Sequence, residues 1–390
     1  MHGGDVWKYA KQLRRNTNDM LDFSANINPL GPPSGVQEVL KQAVNEIAYY
    51  PEPHARTLRA ELADCYGVDP QEVIVGNGAA ELIFLYCRAR EGLQAVVPAP
   101  TFSEYALACR AAGGDVHAFP LGEKESFRLC PEEFLERYSQ WKQTTIKGSG
   151  LKGDPAVFLC HPNNPTGLQL SRPELKELVE GLGAAGAAVF LDLSFLGFVP
   201  GQCLENGTLP AVPVDHFSEI IRANKGVTGN NPLPAGLFLL FSFTKLFALP
   251  GIRLGFGIGP RQLIVAMEQK RDPWTVNSMA QHAGAQCLQE KEYVKKSIAL
   301  ITAARREMVD GLAEIGGIKV FPGVANFLLC QLRERQVKAA NLVAALAKEG
   351  ILVRSAADFP GLDPYYIRLA VRRPDENAVL LEKLAFFLKQ

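Results

Sequence analysis

Short apolar runs recur along the chain and alternate with segments of helical periodicity. The runs read "EVIVGNG", "AVVPAP", "AVFLCHP", "AAVFLDLSF", "FLLFSFTK" and "RLGFGIG". Runs that are apolar at successive positions are typical of strands buried on both faces, as in parallel sheets. The pattern therefore predicts an α/β fold, with a mainly parallel sheet covered by helices on both faces.

The two ends of the chain follow different patterns. The first residues are polar and rich in turn formers, ending in "SANINPLGPP", and they predict an arm. After a long helical region near 275–315, "IKVFPGVANFLLCQL", "ILVRSAAD" and "YYIRLAV" indicate strands of a second, smaller α/β unit.

These patterns divide the chain into three parts. We expect an arm at 1–34 that packs with the smaller unit, a large domain at 35–280, and a small C-terminal domain at 281–390. Two segments, 143–155 and 201–235, are rich in turn formers and interrupt the alternation, so we interpret them as insertions or loops.

Composition excludes several classes of protein. The 390 residues are 47% hydrophobic, with 41 basic and 41 acidic side chains, and no basic block suggests nucleic-acid binding. The longest apolar candidate for a membrane span contains Asp192 in its middle. The eight cysteines are scattered singly, which favours reduced thiols and a cytoplasmic location over a metal cluster or a disulfide framework.

Polar residues at the ends of the predicted strands are the candidates for chemistry. In parallel sheets, ligands bind at the carboxyl ends of the strands. The polar groups there comprise "GNGAA" at 76–80, "HPNNPTG" at 161–167, Asp192, and the stretch from Ser242 to Lys245. The glycine turn before a helix suits an anion, although such turns also occur for steric reasons, and it matches neither common nucleotide motif.

Lys245 lies in "FSFTKLFALPGIRLGFGIG", between Ser242, Thr244 and Arg253. An amine in an apolar setting is costly unless it is modified or paired, and a lysine of lowered pKa suits Schiff-base chemistry. The hydroxyls and the guanidinium would bind a phosphate, and Asp192 would either meet a protonated ring nitrogen or be a satisfied core carboxylate. Pyridoxal 5'-phosphate is the cofactor that these groups suggest, because it has an aldehyde, a basic ring nitrogen and a phosphate.

Four motifs in order, "GNGAAE", "APTFSEY", "HPNNPTG" and "SFTKLFALPGIRLG", resemble the pyridoxal-phosphate enzymes of the aspartate-aminotransferase-like superfamily. The segment "YPEP" followed by "LR" is similar to histidinol-phosphate aminotransferases. "HGGDVW", "LDFSANINPLGPP", "DPWTVNSMAQ" and "FPGLDPYYIRLAVR" resemble the threonine-phosphate decarboxylases of cobalamin biosynthesis more closely. This similarity covers nearly the whole chain apart from the two insertions.

The resemblance implies roles for individual residues. Lys245 would form the Schiff base, Asp192 would pair with the pyridine nitrogen, and Asn164 would bond the ring hydroxyl. Phe102, rather than Tyr105, would stack on the ring. The cofactor phosphate would be held by Gly78, Ala79, Ala80, Ser242, Thr244 and Arg253. Tyr50 would reach that phosphate from the other subunit of a homodimer. The substrate would be bound by His2, Gly3, Asn26, Asn164, Arg354 and Arg368.

One segment departs from the family pattern. The family usually has Asp-Glu-Ala-Phe or Asp-Glu-Ala-Tyr at the pyridine aspartate, whereas this chain has Asp-Leu-Ser-Phe, ending at Phe195. A phenylalanine here removes a hydrogen bond to the ring hydroxyl that aminotransferases tend to have, which favours a decarboxylase.

Three functions remain open from the sequence. The first is decarboxylation of L-threonine O-3-phosphate to (R)-1-amino-2-propanol O-phosphate. The second is transamination of histidinol phosphate or a related amino acid. The third is a pyridoxal-phosphate-binding protein without turnover, which the complete set of residues around the lysine disfavours. Two arginines suit a substrate with two anionic groups, but the sequence does not assign an anion to either.

Overall fold

The computed structural model describes residues 3–146, 155–211, 236–333 and 337–388. Strands are numbered in chain order: β1 Leu21–Asp22, β2 Val73–Asn77, β3 Gln94–Ala99, β4 Asp115–Pro120, β5 Pro155–Cys160, β6 Ala188–Asp192, β7 Leu237–Ser242, β8 Leu254–Ile258, β9 Ile318–Val320, β10 Phe327–Leu332, β11 Ile351–Leu352, β12 Arg354–Ser355 and β13 Tyr366–Ala370.

Helices are numbered in the same way: α1 Val6–Leu13, α2 Ser34–Ala43, α3 Arg56–Tyr66, α4 Ala79–Ala89, α5 Glu104–Ala111, α6 Pro131–Trp141, α7 Arg172–Ala184, α8 Phe243–Leu246, α9 Arg261–Glu268, α10 Ser278–Cys287, α11 Lys291–Ile315, α12 Ala339–Lys348 and α13 Pro374–Leu388. Short 3₁₀ turns lie at Thr17–Asp19, Val44–Glu46, Pro53–Ala55, Pro70–Glu72 and Leu196–Phe198, and a π-helical turn follows α6 at Lys142–Ile146.

The central sheet has seven strands in the order β2-β8-β7-β6-β5-β3-β4. Pairing is parallel from β7 through β6, β5 and β3 to β4, whereas β8 runs antiparallel to both of its neighbours. The prediction of a mainly parallel sheet is therefore confirmed. The six apolar runs found in the sequence became β2, β3, β5, β6, β7 and β8. The seventh strand, β4, was not predicted from its sequence.

Apolar side chains leave the central sheet on both faces. In β6, Val189 and Leu191 join one hydrophobic core, while Ala188 and Phe190 join a second core on the other side. The first core receives residues of α3, α6, α7 and α10, and the second receives residues of α4, α5 and α9. Helices therefore cover both faces of the central sheet.

A smaller sheet has the order β12-β13-β10-β9 and is antiparallel throughout. In the predicted single strand "ILVRSAAD", the structure instead has two short strands. β11 pairs in parallel with β1 of the N-terminal segment, whereas β12 joins the smaller sheet through β13.

The division into an arm, a large domain and a small domain stays a prediction. The predicted insertions fall largely outside the described residues, and 201–211 forms a loop.

An aromatic cluster fills the second core. Phe190 is fully buried and contacts the rings of Tyr86, Tyr105, Phe158 and Phe238, with centroid distances of 4.8–6.1 Å. Close packing of this kind makes the loss of a large ring costly because the cavity left behind collapses only in part.

Truncation of Phe190 should test this packing. We expect Phe190→Ala to lower the free energy of unfolding by about 3–5 kcal/mol. Phe386→Ala is the control, since Phe386 is 57% exposed, and it should change stability by less than about 0.5 kcal/mol. Urea unfolding followed by tryptophan fluorescence measures both variants. Equal losses in the two variants would contradict this account of the core.

Candidate active site

A cavity of about 400 Å³ opens at the carboxyl ends of β5, β6 and β7. Cys160, Asp192 and Ser242 are the last residues of these three strands, and Cys160 lies opposite Asp192 in the sheet. The predicted site residues on its wall are Gly3, Asn26, Ala79, Ala80, Phe102, Asn164, Asp192, Ser242, Thr244, Lys245, Arg253, Arg354 and Arg368. Residues that are far apart in sequence thus meet around one space.

Lys245 is in the one-turn helix α8, directly after the buried strand β7. The N-terminal segment holds this turn in place. The backbone N–H of Asn28 donates to the carbonyl of Lys245 at 3.1 Å, and its side-chain amide donates to the carbonyl of Leu246 at 2.7 Å. The amine is partly buried. Burial, together with the charges of Arg368 and Arg253, lowers the pKa of Lys245 to about 8, although Asp192 opposes the shift.

Asp192 is buried and has a hydrogen-bond donor on each carboxylate oxygen. The hydroxyl of Tyr105 donates to Oδ2 at 2.7 Å, and the backbone N–H of Ser194 donates to Oδ1 at 2.9 Å. Burial raises the pKa of Asp192, while these two hydrogen bonds and the charge of Lys245 act in the opposite direction. A cation placed against this carboxylate would favour its ionised form.

The start of α4 forms an anion-binding corner of the cavity. Gly78 adopts φ of +81°, which glycine tolerates, and a Cβ at this position would lie 2.5 Å from Nη2 of Arg253. The guanidinium can therefore approach the turn only because residue 78 has no side chain. Ala79 and Ala80 provide the first backbone N–H groups of the helix, where partial positive charge favours an anion. Ser242 and Thr244 complete this corner of the wall.

Arg368 lies on β13 and is almost completely buried. Its Nη1 donates to Oδ1 of Asn164 at 2.7 Å, and its Nη2 donates to the carbonyl of Ser24 at 2.8 Å. Burial, together with the charge of Arg354, lowers the pKa of Arg368 to about 9. Within the described residues, Nε of Arg368 and Oδ1 of Asn26 are buried without a hydrogen-bond partner. These two atoms are available to a bound ligand.

Arg354 lies on β12, directly opposite Arg368 in the small sheet. Its Nη2 donates to both carboxylate oxygens of Asp358 at 2.8 Å, and its Nη1 donates to the carbonyl of Ser355 at 2.7 Å. The guanidinium also lies over the ring of Phe359, 5.5 Å from its centroid. Of these two arginines, Arg368 is therefore bonded to neutral oxygens and Arg354 is paired with a carboxylate.

Three predicted residues lie away from this wall. His2 is outside the described residues. Gly78 does not line the cavity but supports the corner that does. Tyr50 is 81% exposed on the surface and packs against Trp274 at a ring-centroid distance of 5.0 Å. The structure therefore places no part of Tyr50 in the cavity of its own chain.

Sequence reasoning missed several contacts that position the site. It considered Tyr105 only for stacking, whereas the hydroxyl of Tyr105 bonds Asp192 and Phe102 is the ring that lines the cavity. It assigned no role to Asn28, which holds the turn of Lys245, or to Ser24, which accepts from Arg368. A signal existed for Asn28 and Ser24, because both lie within "LDFSANINPLGPP", one of the segments on which the family resemblance rests.

The fold and this arrangement define a lysine-centred site at the strand ends of an α/β enzyme fold. A family model for aminotransferase class I and II matches residues 18–384, and the chain belongs to that family. Members of the family depend on pyridoxal phosphate.

Similar proteins include both of the enzyme types that the sequence resembles. Threonine-phosphate decarboxylase of Salmonella typhimurium is 31% identical over 98% of this chain and 95% of its own length. Among solved structures, the histidinol-phosphate aminotransferase of Clostridium acetobutylicum is 25% identical with a TM-score of 0.78, covering 95% of this chain and 99% of its own. The L-threonine-O-3-phosphate decarboxylase of Porphyromonas gingivalis is 24% identical with a TM-score of 0.74, covering 95% and 100%.

The donor set fits pyridoxal phosphate. The corner formed by Gly78 and Arg253 matches a phosphate, and a Cβ at Gly78 would fill it. Asp192 offers a buried carboxylate to a protonated ring nitrogen, and Lys245 offers an amine of lowered pKa. Phe102 provides an apolar face on the cavity wall.

The reactivity of Lys245 should depend on pH in a defined way. In cofactor-free protein, the fraction of neutral amine should rise as the pH increases through about 8, whereas an unperturbed lysine would require about 10.5. Labelling with trinitrobenzenesulfonate at a series of pH values, followed by peptide mass spectrometry, measures this midpoint.

A charge-removing variant provides the control. Arg368→Gln removes one guanidinium that lowers the pKa of Lys245, so the midpoint should move to higher pH. Arg128→Gln removes an exposed guanidinium paired with Glu174 and should leave the midpoint unchanged. A midpoint near 10.5 in the unmodified protein would refute this description of the site.

Proposed function

We propose that the protein is a pyridoxal-phosphate-dependent decarboxylase that converts L-threonine O-3-phosphate to (R)-1-amino-2-propanol O-phosphate in cobalamin biosynthesis. The observation that carries the proposal is the pair of arginines opposite each other on β12 and β13, which share one cavity with Lys245. A substrate with an amine, a carboxylate and a phosphate has one group for each of these three side chains. The similarity to the Salmonella typhimurium decarboxylase supports this choice.

The geometry suggests which arginine takes which anion. The substrate amine must reach Lys245, and the carboxylate is attached to the same carbon as the amine. Arg368 donates to Asn164, which would bond the ring hydroxyl of the cofactor, whereas Arg354 is bonded to Ser355 and Asp358. We therefore assign the carboxylate to Arg368 and the phosphate, which lies further along the substrate, to Arg354.

The cofactor would be held by Asp192 at its ring nitrogen, by Asn164 at its ring hydroxyl, by Phe102 on its face, and by the Gly78–Arg253 corner at its phosphate. When bound, pyridoxal phosphate supplies an aldehyde that condenses with amines and a ring that withdraws electrons from the α-carbon.

The residues of this chain would perform the remaining tasks. Arg368 orients the carboxylate, which leaves as carbon dioxide when its bond to the α-carbon breaks. A proton must then reach the α-carbon, and Nζ of Lys245 would deliver it. Phe195 and Phe359 on the cavity wall limit the access of water. His2, Gly3 and Asn26 would contact the substrate on the side of the N-terminal segment.

Turnover without a keto acid is the decisive test. Incubation of the purified protein with O-phosphothreonine should release carbon dioxide and the phosphorylated amine in equal amounts, measured by gas detection and mass spectrometry. Lys245→Ala should abolish release while the fold persists by circular dichroism. If histidinol phosphate reacts faster, and only with a keto-acid acceptor, the protein is an aminotransferase instead.

We also propose a homodimer in which Tyr50 reaches the phosphate corner of the partner subunit. Support comes from an exposed apolar surface around Tyr50, with Ile47 74%, Tyr49 75% and Trp274 44% exposed. Apolar surface of this kind marks interaction sites.

No helix in the described part of the chain is both long and apolar enough to cross a bilayer. The eight cysteines are unpaired, which is consistent with a cytoplasmic location.

Substitutions on this surface test the assembly. Ile47→Asp should convert the dimer to a monomer and reduce the retention of pyridoxal phosphate, because one wall of each site would be lost. Tyr50→Phe should weaken cofactor retention without changing the mass. Phe386→Asp is the control, since Phe386 is also exposed. Light scattering after gel filtration and cofactor absorbance report the two effects, and a fully active monomer would rule out the proposed dimer.

A further inference from the structure

The pair of Asp358 and Arg354 is not explained by the proposed reaction. Both carboxylate oxygens of Asp358 accept hydrogen bonds from Nη2 of Arg354, at 2.8 Å each. Nη1 of Arg354 donates to the carbonyl of Ser355. An incoming phosphate would meet a guanidinium whose two terminal nitrogens already have acceptors. It would also meet a carboxylate of like charge at the same place.

The two partners differ in how they can move. The side chain of Arg354 is only 11% exposed and is held between Ser355 and the ring of Phe359, so it stays in the cavity wall. The side chain of Asp358 is 43% exposed and belongs to a turn between β12 and β13. If Asp358 were displaced, its carboxylate could be solvated by water, so the free-energy cost would be small. The largely buried side chain of Arg354 cannot be solvated in this way.

We propose that Asp358 is an internal anion that the substrate phosphate must displace from Arg354, and that it thereby sets the affinity of the site for phosphorylated ligands. The proposal rests on the assignment of phosphate to Arg354 under the proposed function. Burial raises the pKa of Asp358, but hydrogen bonding and nearby positive charge, including those of Arg354, together keep the pKa below its usual value. Asp358 is therefore ionised under all conditions in which the phosphate is a dianion.

The consequence concerns the release of ligand. Decarboxylation removes the carboxylate of the substrate, so the product retains only its phosphate as an anion. Asp358 is tethered four residues from Arg354, so it competes at the guanidinium with a high effective concentration. It therefore competes with the phosphate of the product, and also with inorganic phosphate that enters the cavity alone.

Binding of inorganic phosphate to the holoenzyme tests the competition directly. Asp358→Asn keeps the shape of the side chain and removes its charge. If Asp358 competes, the dissociation constant for phosphate, measured by calorimetry at fixed pH and ionic strength, should fall by about tenfold, equivalent to ~1.4 kcal/mol. The same factor should apply to the phosphorylated product, 1-amino-2-propanol O-phosphate, and free threonine should show no change.

Two controls identify the origin of the effect. Asp375→Asn removes the charge of an exposed aspartate paired with Arg373, which does not line the cavity, and should leave phosphate binding unchanged. In an Arg354→Ala background, Asp358→Asn should no longer tighten binding, because the two residues act on one guanidinium.

The direction of the change in phosphate affinity decides whether Asp358 competes with the ligand. Weaker phosphate binding in Asp358→Asn would mean that Asp358 holds Arg354 in place for the ligand, and unchanged binding would mean that phosphate uses other groups. Either result overturns the proposal. Because the titration does not depend on turnover, these outcomes remain distinct from a failure of the decarboxylase assignment, which the release of carbon dioxide tests separately.

Discussion

The rest of the site depends on keeping one amine close to two guanidiniums. Arg368 and Arg253 both lower the pKa of Lys245, and burial lowers it further, so the folded chain must hold these cations together against their repulsion. The rigid sheet makes this possible because β7 ends directly before the turn of Lys245. Asn28 then fixes that turn from the opposite side, and Asp192 provides negative charge nearby.

Much of this arrangement could be predicted because it is encoded locally. Strands buried on both faces are continuous apolar runs, and six of the seven strands of the central sheet were recognisable in this way. β4 was missed because "DVHAFP" at the edge of the sheet keeps only Phe119 buried and exposes Asp115 to solvent. This edge strand therefore has no apolar run to detect, unlike β2 at the other edge, whose first four residues are buried. Polar residues at strand ends were recognisable for a similar reason, because parallel strands bring their carboxyl ends to one edge.

The contacts of the site that could not be predicted from the sequence join segments that are distant along the chain. The bond from Tyr105 to Asp192 spans 87 residues, and that from Arg368 to the carbonyl of Ser24 spans 344. Such bonds require the register of the sheet and the paths of the connecting loops, and neither is contained in hydrophobic periodicity. The pairing of Asp358 with Arg354 is local, yet the sequence did not reveal it. An arginine and an aspartate four residues apart indicate contact on a helix, whereas here a strand is followed by a turn.

The different partners of the two arginines bear on how a product would be released. Arg368 bonds to the neutral oxygens of Asn164 and Ser24, so its charge is not cancelled by direct pairing, and its lowered pKa reflects burial without a bound anion. A substrate carboxylate would satisfy that cation, and its departure as carbon dioxide would leave the cation buried and unpaired again. Under the proposed assignment, the product would therefore lose its interaction with Arg368 through the chemistry itself. Arg354 would keep its phosphate in this step, and the proposed competition from Asp358 would weaken that contact.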